Sequence, residues 1–456
     1  MKRMRAMVCG LLAALTLAGC GTQQPDREPQ QGGGAAAAKD LTQYAVAEAA
    51  YPVFPEEPAY EDYVNENGEG DWDAYFAAQE AYHEELQKMG KGQRPDDGTV
   101  RRFASRTAER IFAGGENTVY SPVSLYAALG MLTELTDGQT RQQVMELLDA
   151  NDGEGLRQQI QNLWVSIYQD GDAVCRLANA AFVRENAQVK QEALETLAQS
   201  YYASSYRVPM GTKEADEVIA GWLNQLTGGL LSEETGNIRT EKENLLRLYN
   251  TIYYKAGWLA PFESGQTKTD TFTAAGGAKQ RTDFMHKREE GRFRKGEGYT
   301  AAPMYLSYGR MVFVLPEKGV TPESLLQRQE FLTELTGDYN GADVIWSVPK
   351  FDGKSSTDLP DILKALGVTD AFDREKADLS PLTDGIAYVD SAMQAARVKI
   401  DEEGVEAAAY TEIVANDEAA MEQPPVVEMD LNRPFAFVIF DGNDVPLFMG
   451  TVQTVA

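Results

Sequence analysis

Glu402-Glu403-Gly404-Val405-Glu406-Ala407-Ala408-Ala409-Tyr410-Thr411-Glu412-Ile413-Val414-Ala415 is a stretch in which pattern and propensity disagree. Every second residue, Val405, Ala407, Ala409, Thr411, Ile413 and Ala415, is small or apolar, whereas Glu406, Tyr410, Glu412 and Asn416 fall on the other side. That is the period of a strand with one buried and one wet face. Alanine and glutamate are nevertheless good helix formers and poor strand formers, so a surface helix is the competing reading. A loop that is exposed and mobile in one state, yet slender enough to slide between existing strands in another, reconciles the two. Proline is absent from Val405 to Gln423, so every amide there could join a ladder, and Pro424-Pro425 would end the insertion.

The surrounding chain reads as a mixture of helices and strands. An amphipathic helix runs through Phe103, Ala104, Thr107, Ala108 and Ile111 and ends near Gly114-Gly115, and another follows Ser121-Pro122. Further helices are expected over Thr140–Leu148, Leu156–Tyr168, Lys190–Tyr201, Ala215–Leu226 and Leu359–Leu366. Apolar or alternating runs suited to strands lie at Val174–Val183, Leu245–Tyr254, Met311–Leu315, Val344–Val348, Phe435–Phe440 and Leu447–Val452. With no strict β-α alternation and no short repeat, an α+β domain with antiparallel or mixed sheets is the natural reading.

Glu402-Glu403-Gly404-Val405-Glu406-Ala407-Ala408-Ala409 resembles the hinge of inhibitory serpins. Further resemblances follow in order: Asn117-Thr118-Val119-Tyr120-Ser121-Pro122-Val123-Ser124, Thr140 with Gln143, Asn179-Ala180-Ala181-Phe182, and Asn250-Thr251-Ile252-Tyr253-Tyr254-Lys255-Ala256-Gly257-Trp258 with Pro261-Phe262. Pro349-Lys350-Phe351, Leu366-Gly367-Val368 with Phe372, Ala377-Asp378-Leu379-Ser380, Arg433-Pro434-Phe435 and Leu447-Phe448-Met449-Gly450 carry the likeness to the C-terminus, so that it spans about 98–455. The resemblance implies the serpin fold, with about eight or nine helices and an exposed reactive-centre loop. It also implies that Glu403, Gly404, Val405, Glu406, Ala407, Ala408, Ala409 and Thr411 form the hinge. Trp258 would sit where the main sheet opens, and Ser121, Ser124 and Asn250 where its central strands part. Gln394 stands where the family usually has a buried histidine; an amide both donates and accepts, so it could serve the same network.

The mechanism so implied is suicide inhibition. A serine or cysteine protease cuts the loop, forms an acyl-enzyme ester, and is carried along as the loop inserts. At about 3.3 Å per residue, some fifteen residues of insertion move the enzyme on the order of 50 Å, and deacylation fails because the catalytic groups lose register. Family spacing from Gly404 puts the cut bond at Glu418-Ala419, whereas counting back from Pro434 gives Ala420-Met421. No Lys or Arg lies between Lys399 and Arg433, which argues against a trypsin-like target and for an elastase-like or glutamate-specific one. A serpin-fold surface binding protein that does not inhibit is the alternative, supported by Val405 and Tyr410. An exported serine acyltransferase is a weaker one: Ser347-Val348-Pro349-Lys350 fits Ser-x-x-Lys, but in a strand-like run and without its companion motif. The protein is therefore read as an inhibitor and not an enzyme.

Residues 1–19, with Lys2, Arg3 and Arg5 before the apolar run Met7–Ala18, read as a lipoprotein signal peptide too short to span a bilayer. Leu17-Ala18-Gly19-Cys20 resembles the bacterial lipobox, in which Cys20 carries the lipid. Residues 20–40, containing Gly32-Gly33-Gly34-Ala35-Ala36-Ala37-Ala38, suit a flexible tether. Residues 41–97 form an acidic, aromatic-rich segment in which Trp72, Tyr75, Phe76, Tyr82 and Leu86 share a helical face that must pack on something; 98–456 is the main domain. Acylated Cys20 would leave Cys175 without a disulfide partner. The formal net charge of -28 argues against nucleic acid and favours basic partners. His83 and His286 lie far apart with no cysteine cluster, so neither a transition metal nor a cofactor is expected. The expectation is a monomer, secreted and held at a bacterial cell surface by its N-terminal lipid.

Overall fold

The computed structural model describes residues 41–65, 67–91, 98–405 and 424–455, all within one compact unit that begins at Lys39. Eleven α-helices occur among them: α1 (Trp72–Lys88), α2 (Thr99–Ile111), α3 (Pro122–Glu134), α4 (Gly138–Leu147), α5 (Gly153–Ile167), α6 (Gln191–Ser200), α7 (Lys213–Leu226), α8 (Ser232–Thr235), α9 (Pro322–Leu326), α10 (Phe331–Leu335) and α11 (Pro360–Ala365). Ten of these belong to residues 98–455, against the eight or nine expected. The surplus lies among the short turns α8, α9 and α10, which are too brief to show a readable helical period.

Among the described residues seventeen strands make two sheets. They are β1 (Ala45–Ala47), β2 (Thr118–Tyr120), β3 (Gln169–Asp170), β4 (Val174–Arg184), β5 (Ala203–Val208), β6 (Leu246–Gly257), β7 (Lys268–Thr273), β8 (Lys279–Gly296), β9 (Tyr299–Tyr305), β10 (Arg310–Pro316), β11 (Asn340–Pro349), β12 (Phe351–Asp358), β13 (Met393–Ile400), β14 (Gly404–Val405), β15 (Val426–Asp430), β16 (Phe435–Phe440) and β17 (Pro446–Val452). The first sheet runs β1-β5-β4-β6-β14-β13-β12, with β3 on β4; the second runs β15-β11-β8-β9-β10-β16-β17-β2, with β7 on β8. Both are mixed, because β4 pairs β5 and β11 pairs β15 in parallel while the other ladders are antiparallel. The α+β class holds.

Helix α3 explains how the layers meet. Ser121 caps its first turn, Pro122 occupies the position where a missing N–H does no harm, and nearly every residue from Pro122 to Glu134 is buried. A helix apolar on all sides belongs in a core and not on a surface. It packs against both β6 and β17, one strand from each sheet. Its N-terminus thereby lies under the middle of the first sheet.

The N-terminal segment joins this body through residues 41–54, Met89 and Lys91. Strand β1 adds an edge to β5, with Ala45 opposite Tyr206. Tyr51 stacks on Trp164 at 5.3 Å and Phe54 on Tyr168 at 4.9 Å. Lys91 donates to the carbonyls of Val165, Ser166 and Tyr168, the unpaired acceptors at the end of α5, and burial pulls its ammonium down to about 8. Helix α1 behaves differently from expectation: Trp72 and Phe76 are 52% and 60% exposed. Among the described residues, rings of its aromatic face meet Tyr60 and Tyr63 of the neighbouring turn, with Tyr60 on Trp72 at 4.4 Å and Tyr63 on Tyr75 at 5.6 Å.

Candidate functional site

The site begins where β13 turns into β14. Asp401 organises the turn: its carboxylate accepts from the amides of Glu403 (3.0 Å) and Gly404 (3.3 Å), and its own amide donates to the Gly404 carbonyl (3.1 Å). Two residues then enter the sheet. Gly404 lies opposite Gly257 and Val405 opposite Ala256 on β6, while Val405 also lies opposite Ile400 on β13. A Cβ on Gly404 would come within 2.3 Å of the Ala256 carbonyl oxygen and 2.7 Å of the Gly257 Cα, so only glycine permits this approach. Val405 is buried. No ladder joins β6 directly to β13 among the described residues; both pair with β14, which occupies only the upper end of the space between them.

Trp258 closes that upper end. Its indole Nε1 donates to the Asp401 carbonyl at 3.0 Å and its backbone amide to that of Glu403 at 2.8 Å. The ring is buried near Phe262 and Phe313, each with its centroid 6.4 Å away. Phe262 in turn donates its amide to the Glu402 carbonyl at 2.9 Å. Glu402 is fastened by its side chain, to the Lys350 ammonium at 2.6 Å and the Thr267 hydroxyl at 2.7 Å. Burial alone would raise this carboxyl, but those two partners together hold it below the usual carboxylate range.

Lower in the sheet, the N-terminus of α3 spans the two sides of the space. The Gln394 amide accepts from the Ser121 N–H and donates to the Ser121 carbonyl, both at 3.0 Å, which ties α3 to β13. Ser124 donates its hydroxyl to the Asn250 side-chain oxygen on β6, and Asn250 donates its amide to Asn179 on β4. Asn179 completes the chain by donating to the Tyr201 carbonyl at 2.6 Å. Ser121 thus faces one strand and Ser124 the other. Such a network resists separation of the strands while every group is satisfied, and it offers ready polar partners to anything that comes between them.

The family described as Serpin (serine protease inhibitor) matches the chain over residues 99–455. The chain belongs to the serpin family. Serpin-Z2B of Triticum aestivum is 30% identical over 377 residues, covering 77% of this chain and 94% of its own. The hibernation-specific plasma protein HP-55 of Tamias sibiricus is 30% identical over 361 residues, covering 75% and 85%. Among solved structures, the thermophilic serpin tengpin in its native state superposes with a TM-score of 0.70 at 24% identity, covering 79% of this chain and 95% of that one. Thyroxine-binding globulin complexed with thyroxine gives 0.68 at 23%, covering 79% and 99%. The fold is the serpin fold.

Of the hinge residues, Glu403, Gly404 and Val405 stand at the entrance just described. Glu406, Ala407, Ala408, Ala409 and Thr411, the two candidate bonds Glu418-Ala419 and Ala420-Met421, and Cys20 lie outside the described residues. Three participants were not read from the sequence: Asp401, Glu402 as a side-chain anchor, and Thr267. Lys350, half of the Ser-x-x-Lys pattern, serves this serpin by pairing with Glu402. Repeated polar residues in loops far apart in sequence carry no periodicity, so only their juxtaposition reveals the anchor.

Proposed function

We propose that this serpin is a suicide inhibitor of serine proteases that inserts its cut loop between β6 and β13. The observation that carries the reading is that both ladders around β14 can be prolonged without a bulge and agree with each other. On the β6 side Gly404 opposite Gly257 places Thr411 opposite Asn250; on the β13 side Val405 opposite Ile400 places Thr411 opposite Gln394. The same residue therefore arrives between the two polar groups that α3 holds apart.

The remaining positions fit as well. Ala407 would lie between Tyr254 and Val398, and Ala409 between Ile252 and Ala396, four residues with buried side chains, so the small apolar alanines suit that face. Glu406, one step out of phase, would lie on the opposite face between Lys255 and Lys399, where opposite charges across a ladder are favourable. Tyr410 falls on that outer face too and does not obstruct. The ladder along β6 reaches Leu246, opposite Ala415.

The target follows from the residues beside the candidate bonds. Without a cation between Lys399 and Arg433, the loop suits an elastase-like or glutamate-specific protease and not a trypsin-like one. Incubation with proteases of each class tests this: a complex that survives SDS is expected with the first two, with cleavage at Glu418-Ala419 or Ala420-Met421 by mass spectrometry. Clean cleavage with no stable complex would refute inhibition and leave a surface binding protein.

The N-terminal sequence supports a bacterial lipoprotein, secreted as a monomer and held at the cell surface through lipid on Cys20, with the acidic net charge favouring basic partners. Cys20→Ala is expected to abolish incorporation of labelled fatty acid and to release the protein from membranes; retention of label would overturn this.

A further inference from the structure

Trp72 and Phe76 stand exposed on α1 although both belong to a cluster of five rings. Tyr60 stacks on Trp72 and meets Tyr75 edge-on at 5.6 Å, Trp72 stacks on Phe76 at 6.0 Å, and Tyr63 meets Tyr75 edge-on. Contiguous exposed aromatic surface, unlike single apolar side chains scattered over a protein, marks a place where another molecule binds.

The cluster is held in shape by the turn between Tyr63 and Trp72. The Asn65 side chain accepts from the amides of Asn67 (2.9 Å) and Glu69 (3.0 Å), and the Asp71 amide donates to the Tyr63 carbonyl at 2.8 Å. Asp71 then caps α1 by accepting from the Ala74 amide at 3.1 Å. A Cβ on Gly70 would collide with the Tyr60 ring, so glycine is what lets that ring lie against the turn. Gln79 ties the far side, donating to the Pro58 carbonyl at 3.2 Å and the Tyr75 hydroxyl at 3.0 Å. Rings fixed in this way lose little freedom when a ligand arrives.

Charge identifies the occupant. From Glu56 to Glu85 the chain holds eleven carboxylate side chains and no lysine or arginine. Asp73 and Glu80 stand three and four residues from Phe76, which makes them its neighbours on the helix surface. Both are exposed, and among the described residues neither pairs with a cation, whereas Glu84 pairs with Lys88 at 3.8 Å. The face of an aromatic ring attracts a cation, and a guanidinium can both stack on the ring and fork onto a carboxylate. A second copy of the chain would bring the same carboxylates, and residues 406–423 contain acidic side chains without a lysine or arginine, so like charge opposes both as occupants. We propose that α1 and the turn before it form a docking surface for an arginine-bearing segment of a partner protein. Its guanidinium groups stack on Trp72 and Phe76 while Asp73 and Glu80 accept their N–H groups. None of these residues belongs to the hinge or to the sheet it enters, so the surface works apart from loop insertion.

Fluorescence anisotropy of a labelled arginine–glycine repeat peptide, titrated with the full chain at physiological ionic strength, tests this. Lysine–glycine and citrulline–glycine peptides of the same length are the comparisons, since citrulline keeps the planar group and loses its charge. Saturable binding of the arginine peptide is expected, with the lysine peptide weaker and the citrulline peptide silent. Trp72→Ala combined with Phe76→Ala should weaken binding roughly tenfold at unchanged net charge, and Asp73→Asn combined with Glu80→Gln should weaken it as well. If the aromatic variant loses helix by circular dichroism, the carboxamide variant and the contrast among the peptides decide the matter. Unchanged affinity in a folded aromatic variant would mean that the peptide reads net charge alone. That result, unchanged affinity in the carboxamide variant, equal binding of the lysine or citrulline peptide, or no saturable binding would each overturn the proposal.

Discussion

Gln394 meets Ser121 with both ends of its amide, accepting at Oε1 from the Ser121 N–H and donating from Nε2 to the Ser121 carbonyl. The geometry accounts for an amide at this position without invoking a weaker joint. Gln394→Leu leaves the Ser121 N–H unpaired in a buried setting, where such a loss costs about 1–3 kcal/mol, while the Ser121 carbonyl keeps the Leu125 amide. A lower urea midpoint for the uncut protein is the expected result; an unchanged midpoint would mean that β13 is held to α3 by other contacts. The position of Gln394 was legible through the family's pattern, but its two-ended bond was not, because Ser121 is remote in the chain. The same holds for Glu402 with Lys350 and Thr267.

At the scale of elements, β14 is a strand of two residues whose importance comes from its neighbours. Both β6 and β13 run antiparallel to it, and each is long enough to accept more chain on the face where Val405 is buried. Thr411→Arg would bring a long cation to the inner face, between Asn250 and Gln394, where no room or counter-charge awaits it. The expected outcome is conversion of an inhibitor into a substrate: the SDS-stable complex falls by an order of magnitude or more while cleavage continues, read as the stoichiometry of inhibition. Equal inhibition by the variant would exclude insertion in this register. Alternation in the 405–415 stretch predicts which residues would face inward on insertion, since the strand period is the same whichever sheet is joined. Strand β8 was not foretold: its charges obscure any apolar run, and it is held by ten paired positions on β11.

For the whole molecule, suicide inhibition would require the first sheet to accept a further strand supplied by the chain itself. Inserting residues 406–415 would add ladder bonds along β6 throughout and along β13 as far as Glu412, each contributing about 0.5–1.5 kcal/mol net, against about 1–2 kcal/mol of backbone entropy per residue. Burial of Ala407, Ala409 and Ile413 between apolar neighbours adds to the favourable side. Cutting the loop with a limiting protease is therefore expected to raise the thermal midpoint by several degrees, since about 1 kcal/mol moves a domain of this size by roughly 1–2 °C. No rise on nicking would show that the cut loop stays outside. What the sequence determined by itself was local and periodic: the main helices and the apolar strands, because side-chain pattern and propensity act within a few residues of one another. What only the tertiary structure decided was the order of strands, the seating of Gly404 and Val405 between β6 and β13, and the anchor at Glu402, because these depend on which distant segments are brought within hydrogen-bonding reach.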